Sequence, residues 1–248
     1  MSPCMSVESP KPKRPPCDLQ RLHQGALPSL GRLHAGFALD AWSRPVGRIG
    51  GDVIAAWPVD DRRVVAFLGD VMGHGTPAAV VASGVRSALH HLRAAGLFRP
   101  TELLARINRT VLDLYPEYFL TACCCLFDTA GPLTCAVAGH PSPLVRSLDG
   151  GVDSVLCRSH PLGIVARPDI SEYTLEFDAG SSVVVYSDGV SDALADSPSR
   201  GADALVGVLN GVASGKPEAI ARGIRRAIRR ADRLREDDCS VLVVQRAG

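Results

Sequence analysis

Four aspartates stand at the ends of short apolar runs, so the chain must either gather several strand ends in one place or spend each aspartate on an isolated turn. Asp52 follows Gly50-Gly51 and leads into Val53-Ile54, and Asp70 closes the run from Val64 to Gly69. Asp188 follows the run from Ser182 to Ser187, and Asp237-Asp238 precede Ser240 to Val244. β-Branched and aromatic residues in runs this short suit buried strands. A single Asp-Gly pair is most simply a turn or a cap, so the four together are the pattern to explain.

In chain order, strands are expected at 35–42, 52–57 and 63–68, with Asp60-Asp61 as a polar turn. Residues 76–95 read as a helix with Thr76 as N-cap, Pro77 at its first position and Gly96 as its stop. A second helix spans 103–114, where Leu103, Leu104, Ile107, Val111 and Leu114 keep helical spacing and Pro116 follows. Strands return at 121–127, 133–138, 144–147, 152–157, 173–177 and 182–186, punctuated by Gly131-Pro132, Asp149-Gly150-Gly151 and Ala179-Gly180. Helices at 202–212 and 217–234 precede a closing strand to 245. Helices come in pairs rather than alternating strictly with strands, so the expected class is α+β: two sheets packed on each other with helical pairs outside.

With 46% hydrophobic and 21% charged residues, 248 residues can bury a full core. The expectation is one domain over 28–248 behind a flexible tail, 1–27, that holds Pro10, Pro15, Pro16 and Lys11, Lys13, Arg14. Such a tail is too short for a sensory domain, so an input signal would arrive through a separate activating partner. The formal net charge of +1 gives no basic field that points to nucleic acid. Of eight cysteines, Cys123, Cys124 and Cys125 are consecutive in one apolar strand and alternate between its faces, which suits buried thiols in a reducing cytosol better than a disulfide framework. No Cys-x-x-Cys spacing supports zinc. No apolar run suits a membrane span or signal peptide, so the expected location is cytoplasmic.

Aspartates without histidine or cysteine neighbours make a hard oxygen site, which favours magnesium or manganese. Gathered carboxylates repel and take up protons unless a cation is bound. Two such ions about 3.5–4 Å apart suit hydrolysis at phosphorus.

The ordered segments Gly50-Gly51-Asp52, Gly69 to Ala79 (Gly-Asp-Val-Met-Gly-His-Gly-Thr-Pro-Ala-Ala), Phe119 to Ala122, Ala138 to Leu144, Pro161-Leu162-Gly163, Tyr186 to Val190 and Asp237 to Val241 resemble the successive motifs of SpoIIE/RsbU-type serine/threonine phosphatases of the metal-dependent protein phosphatase (PPM) superfamily. The resemblance covers about 28–246. It implies an α-β-β-α sandwich with two Mn2+ or Mg2+ ions. Asp70 would bridge both, the Val71 carbonyl and Asp52 would serve one, and Asp188 and Asp237 the other, with Asp237 chosen over Asp238 by its place in the motif. The implied reaction is attack of metal-bound hydroxide on phosphoserine or phosphothreonine, with no phosphoenzyme. The implied substrate is a phosphorylated anti-sigma-factor antagonist, and the helices after His74 would tune the metal site. The alternative is a non-catalytic, metal-binding partner module on the same fold.

The chain departs from the family pattern at Ala55-Ala56, where many relatives carry an acidic residue, at Ser187, where threonine is common, and at Cys239-Ser240. The last two places keep a hydroxyl. His74 and His140 lie in glycine- or proline-flanked turns and read first as loop braces, then as general acids. Arg48 could clamp a phosphate oxygen. The run Arg222, Arg225, Arg226, Arg229, Arg230, Arg233 and Arg235 accompanies Ile220, Ile224 and Ile228 at intervals of four. It reads as a solvated helix face, with an acidic-protein docking surface as the sharper reading; without interleaved aromatics, nucleic acid is not the expected partner.

Overall fold

The computed structural model describes residues 35–156, 159–195, 197–231 and 237–247. The expected tail at 1–27, with Cys4 and Cys17, lies outside them, as do Cys157, Arg233 and Arg235. Among the described residues, ten strands form two five-stranded sheets, antiparallel in every pair.

One sheet has the order β2-β3-β4-β5-β8, with β2 Val53–Pro58, β3 Arg63–Val71, β4 Leu120–Asp128, β5 Leu133–Ala138 and β8 Glu172–Leu175. The other has the order β1-β10-β9-β6-β7, with β1 Phe37–Arg44, β6 Leu144–Arg146, β7 Val152–Ser154, β9 Ser182–Tyr186 and β10 Cys239–Arg246. Helices α1 (Gly75–Ala94) and α2 (Pro100–Leu114) follow β3. Helices α3 (Asp188–Leu194), α4 (Pro198–Asn210) and α5 (Pro217–Ala231) lie between β9 and β10 in sequence. No helix among the described residues is long and apolar enough to cross a membrane.

Three cores separate four layers. Phe37, Leu68, Phe127, Val183, Val185 and Leu242 fill the space between the sheets. Val81, Val85, Leu103, Leu104 and Ile107 of α1 and α2 pack on Val53, Val65 and Phe67 of one outer sheet face. Leu205, Leu209, Ile220, Ile224 and Ile228 pack on Val184, Val241 and Val243 of the other. This is the expected α-β-β-α sandwich.

The cysteines of β4 divide as the pleat requires: Cys124 joins the helix-side core, and Cys123 and Cys125 join the core between the sheets. All three are buried, as are Cys135 and Cys239. The Asp149-Gly150 signal gives the β6–β7 hairpin, in which Gly150 has φ +95°.

The start of α1 differs from expectation. His74, not Thr76, takes the N-cap position, and Pro77 falls third. Gly73 and Gly75 adopt left-handed backbone, φ +84° and +76°, so the glycines turn the chain out of β3 before Thr76 is reached. Pro77 is tolerated there because the first-turn N–H groups have no intrahelical acceptor anyway. Gly96 closes the helix as expected, with φ +76° and its N–H donating to the Arg93 carbonyl at 3.0 Å.

Ile220, Ile224 and Ile228 of α5 are buried, and Arg222, Arg225, Arg226, Arg229 and Arg230 face solvent. Ile224→Ala is expected to lower unfolding free energy by about 2–4 kcal/mol in a urea titration, whereas Arg226→Ala should stay within about 0.5 kcal/mol.

Candidate metal centre

Two antiparallel pairs, one in each sheet, each deliver two carboxylates at the same end. In the first, Val53 of β2 sits opposite Gly69 of β3, so one residue on Asp52 comes beside Asp70. Strand β3 is paired on both sides, with Asp70 opposite Thr121 of β4, so its backbone is fixed by two ladders. In the second, Tyr186 of β9 sits opposite Val241 of β10, and the Ser187 N–H donates to the Ser240 carbonyl at 3.0 Å. Continuing past both strand ends brings Asp188 and Asp237 together. Packing the sheets face to face then brings Asp70 of the first pair against both members of the second.

One carboxylate oxygen from each of Asp70, Asp188 and Asp237 lies within 4.8 Å of the others. Asp52 is not among these three; it is buried, with its Oδ2 3.3 Å from the Ser187 hydroxyl. The buried Oδ1 atoms of Asp52 and Asp188 have no hydrogen-bond partner among the described residues. Gly51 keeps the neighbouring Val71 carbonyl uncovered: a Cβ on Gly51 would sit 3.0 Å from that oxygen.

Burial, followed by the charges of Asp52, Asp188 and Asp237, pushes the Asp70 carboxyl up to about 10. Burial, with Asp238 and Asp237 adding to it, raises Asp52 well above the usual carboxylate range. Asp237 is raised for the same reason, burial first, with the charge of Asp188 adding to it, although His74 favours its ionised form. Without a cation, Asp70 therefore holds a proton at neutral pH. Hard oxygen donors with unpartnered buried atoms fit magnesium or manganese, and the three converging residues include no histidine or cysteine.

Asp238 does something different from Asp237. It is buried, its Oδ1 accepts from the Val46 N–H and its Oδ2 from the Gly51 N–H, each at 2.7 Å. It thus ties the loop carrying Asp52 to the start of β10. Gly50 is required beside it, because a Cβ there would collide with the Asp238 carboxylate. The Ser187 hydroxyl, 3.1 Å from the Asp238 carbonyl, accepts from the Ser240 N–H at 2.9 Å, so the hydroxyl at the unusual serine is in use.

His140 is buried, with Nδ1 2.8 Å from the Thr121 hydroxyl. Burial pushes its pKa down to about 3, so it is a neutral brace at pH 7. His74 is exposed, makes no side-chain cap bond, and lies within electrostatic reach of Asp237. Arg48 is exposed.

Two residues near the cluster carry no motif. Asp192 stands one turn along α3 from Asp188, whose charge, after burial, raises its pKa; the interval of four was the available signal, hidden because α3 was not expected. Arg86 of α1 donates from Nη1 to the Asp52 carbonyl at 3.1 Å, and nothing in the sequence distinguishes it from a solvated helix arginine.

The family model for stage II sporulation protein E (SpoIIE) matches residues 60–247. The phosphoserine phosphatase RsbU of Bacillus subtilis (strain 168) is 27% identical over 165 residues, 64% of this chain and 49% of that protein. The chain therefore spans about half the length of this relative. The solved RsbU and RsbW domains of Rv1364c from Mycobacterium tuberculosis superpose with a TM-score of 0.79 at 26% identity, covering 90% of this chain and 63% of that one. The catalytic domain of the serine threonine protein phosphatase PstP, solved in complex with two manganese ions, superposes with a TM-score of 0.62 at 18% identity, covering 86% and 99%.

Proposed function

The chain belongs to the SpoIIE family, and from that premise we propose that it is a metal-dependent protein serine/threonine phosphatase. The observation that carries the reading is the convergence of Asp70, Asp188 and Asp237 from two sheets within 4.8 Å, backed by buried carboxylate oxygens that the described residues leave unpartnered. RsbU is a phosphoserine phosphatase and PstP was solved in complex with two manganese ions, and both support the same chemistry.

Asp70 would be shared by two Mn2+ or Mg2+ ions, with Asp52 and the Val71 carbonyl serving one and Asp188 and Asp237 the other. Bound divalent cations would lower the pKa of water to near neutrality and neutralise charge on the phosphoryl group. The chain's own contribution is placement. The ladders on both sides of β3 hold Asp70, Asp238 holds the loop of Asp52, and Arg86 couples the position of α1 to that of Asp52. That coupling gives a route by which a separate activating partner pressing on α1 would alter the site. The substrate in this reading is a small phosphorylated regulatory protein of the anti-sigma-factor-antagonist kind.

The test is phosphate release from phosphoseryl and phosphothreonyl peptides with manganese, and again with chelator. The expected result is turnover with manganese that chelator abolishes. A folded sample that releases no phosphate from either peptide with manganese or magnesium would overturn the reading.

A further inference from the structure

A cavity of about 260 Å³ lies between α1 and β2. Residues 54–57 of β2 form one wall, and Arg86, Leu89, His90 and Arg93 of α1 form the other. Consecutive strand residues point to opposite faces, so a cavity that touches all four meets β2 along its edge, where backbone groups line up. Among the described residues, strand β2 is the outermost of its sheet and pairs with β3 on its other side. An edge of this kind is a template for an added strand.

The opposite wall carries two arginines, Arg86 and Arg93, with His90 between them. Arg86, His90 and Arg93 recur at intervals of four and three, which puts them on one flank of α1, and no carboxylate is among the described residues lining the cavity. His90 and Arg93 are exposed. One end of the cavity adjoins the metal centre, because the Arg86 guanidinium reaches the Asp52 carbonyl.

We propose that this cavity is the docking groove for an extended acidic segment of the phosphoprotein substrate, added to β2 as a further strand; the proposal rests on the phosphatase reading above. Every pair in the two sheets is antiparallel, and the same pairing on the outer edge of β2 runs the incoming chain toward Asp52. At about 3.3–3.4 Å per residue, Ala55 and Trp57 stand roughly 10 and 17 Å from Asp52 along the strand. A phosphoserine held at the aspartates therefore places the residues three to five positions before it opposite His90 and Arg93. Acidic side chains there complement the wall. The chain's own residues 1–34 do not, since Lys11, Lys13, Arg14, Arg21 and Arg32 outnumber Glu8 and Asp18.

The experiment uses two labelled phosphoserine peptides, with Asp/Glu or with Ala at the three positions named. With manganese, kcat/KM for the acidic peptide is expected to be about tenfold higher, through KM. His90→Ala/Arg93→Ala removes that preference while hydrolysis of a small aryl phosphate is unchanged. Fluorescence anisotropy reads the groove without turnover: the acidic peptide binds the wild-type chain about tenfold tighter than the double variant at low salt, and added salt narrows the gap. Methylating alternate backbone amides of the peptide weakens binding by a similar factor. Equal affinity for wild type and variant, or no effect of backbone methylation, overturns the proposal. No hydrolysis of any phosphoester, with the anisotropy preference intact, overturns the phosphatase reading and leaves the groove standing.

Discussion

Asp70→Ala is expected to lower turnover of any phosphoester by at least about 10³-fold, equivalent to about 4 kcal/mol of transition-state stabilisation, while the variant keeps its far-ultraviolet circular dichroism. The expectation follows from the position of Asp70, on the strand fixed by ladders on both sides and at the meeting point of carboxylates from both sheets. In chelator, the thermal midpoint should be unchanged or higher than that of the wild-type chain, because burial and three neighbouring carboxylates already make Asp70 an unfavourable place for charge. Manganese at about one hundred times its dissociation constant should stabilise the wild-type chain by about 2.7 kcal/mol, or roughly 5–10 °C. That shift should be absent in the variant. A variant with near-normal turnover would remove Asp70 from the centre of the account.

The adjacent pair Asp237-Asp238 should separate cleanly. Asp237→Ala should reduce metal-dependent turnover at least about 10²-fold with little loss of stability in chelator, because the Asp237 carboxylate faces the cluster. Asp238→Ala strands the buried N–H groups of Val46 and Gly51, each now bonded to a carboxylate oxygen at 2.7 Å. Losing both should lower stability by about 3 kcal/mol, seen as a fall in thermal midpoint of roughly 6–12 °C. Turnover would fall too, through the loosened loop of Asp52, but the stability loss in chelator is the distinguishing sign. If Asp237→Ala proved the destabilised variant and Asp238→Ala the stable, inactive one, the two roles would be exchanged.

Much of this architecture was legible in the sequence because its signals are local. Apolar runs ending in aspartate gave the strands that carry the site, the spacing of Ile220, Ile224 and Ile228 gave the buried stripe of α5, and consecutive cysteines gave the two faces of β4. The misses have physical causes. Helix α3 has only seven residues, too few to show a period, and α4 begins at Pro198-Ser199-Arg200-Gly201, a stretch that reads as a loop. The contrast between Asp237 and Asp238 depends on bonds that reach back 187 and 192 residues, and Arg86 acquires its role only when α1 docks beside the carbonyl of Asp52. Such pairings leave no trace in spacing along the chain.

The most direct test is hydrolysis of a small aryl phosphate by the purified protein, first with chelator and then across a manganese titration, for the wild-type chain and Asp188→Asn. The account predicts turnover that rises with manganese in the wild-type chain, vanishes in chelator, and falls at least about 10²-fold in the variant. Turnover that ignores chelator, or that survives intact in Asp188→Asn, would contradict a hydrolytic centre built on these aspartates.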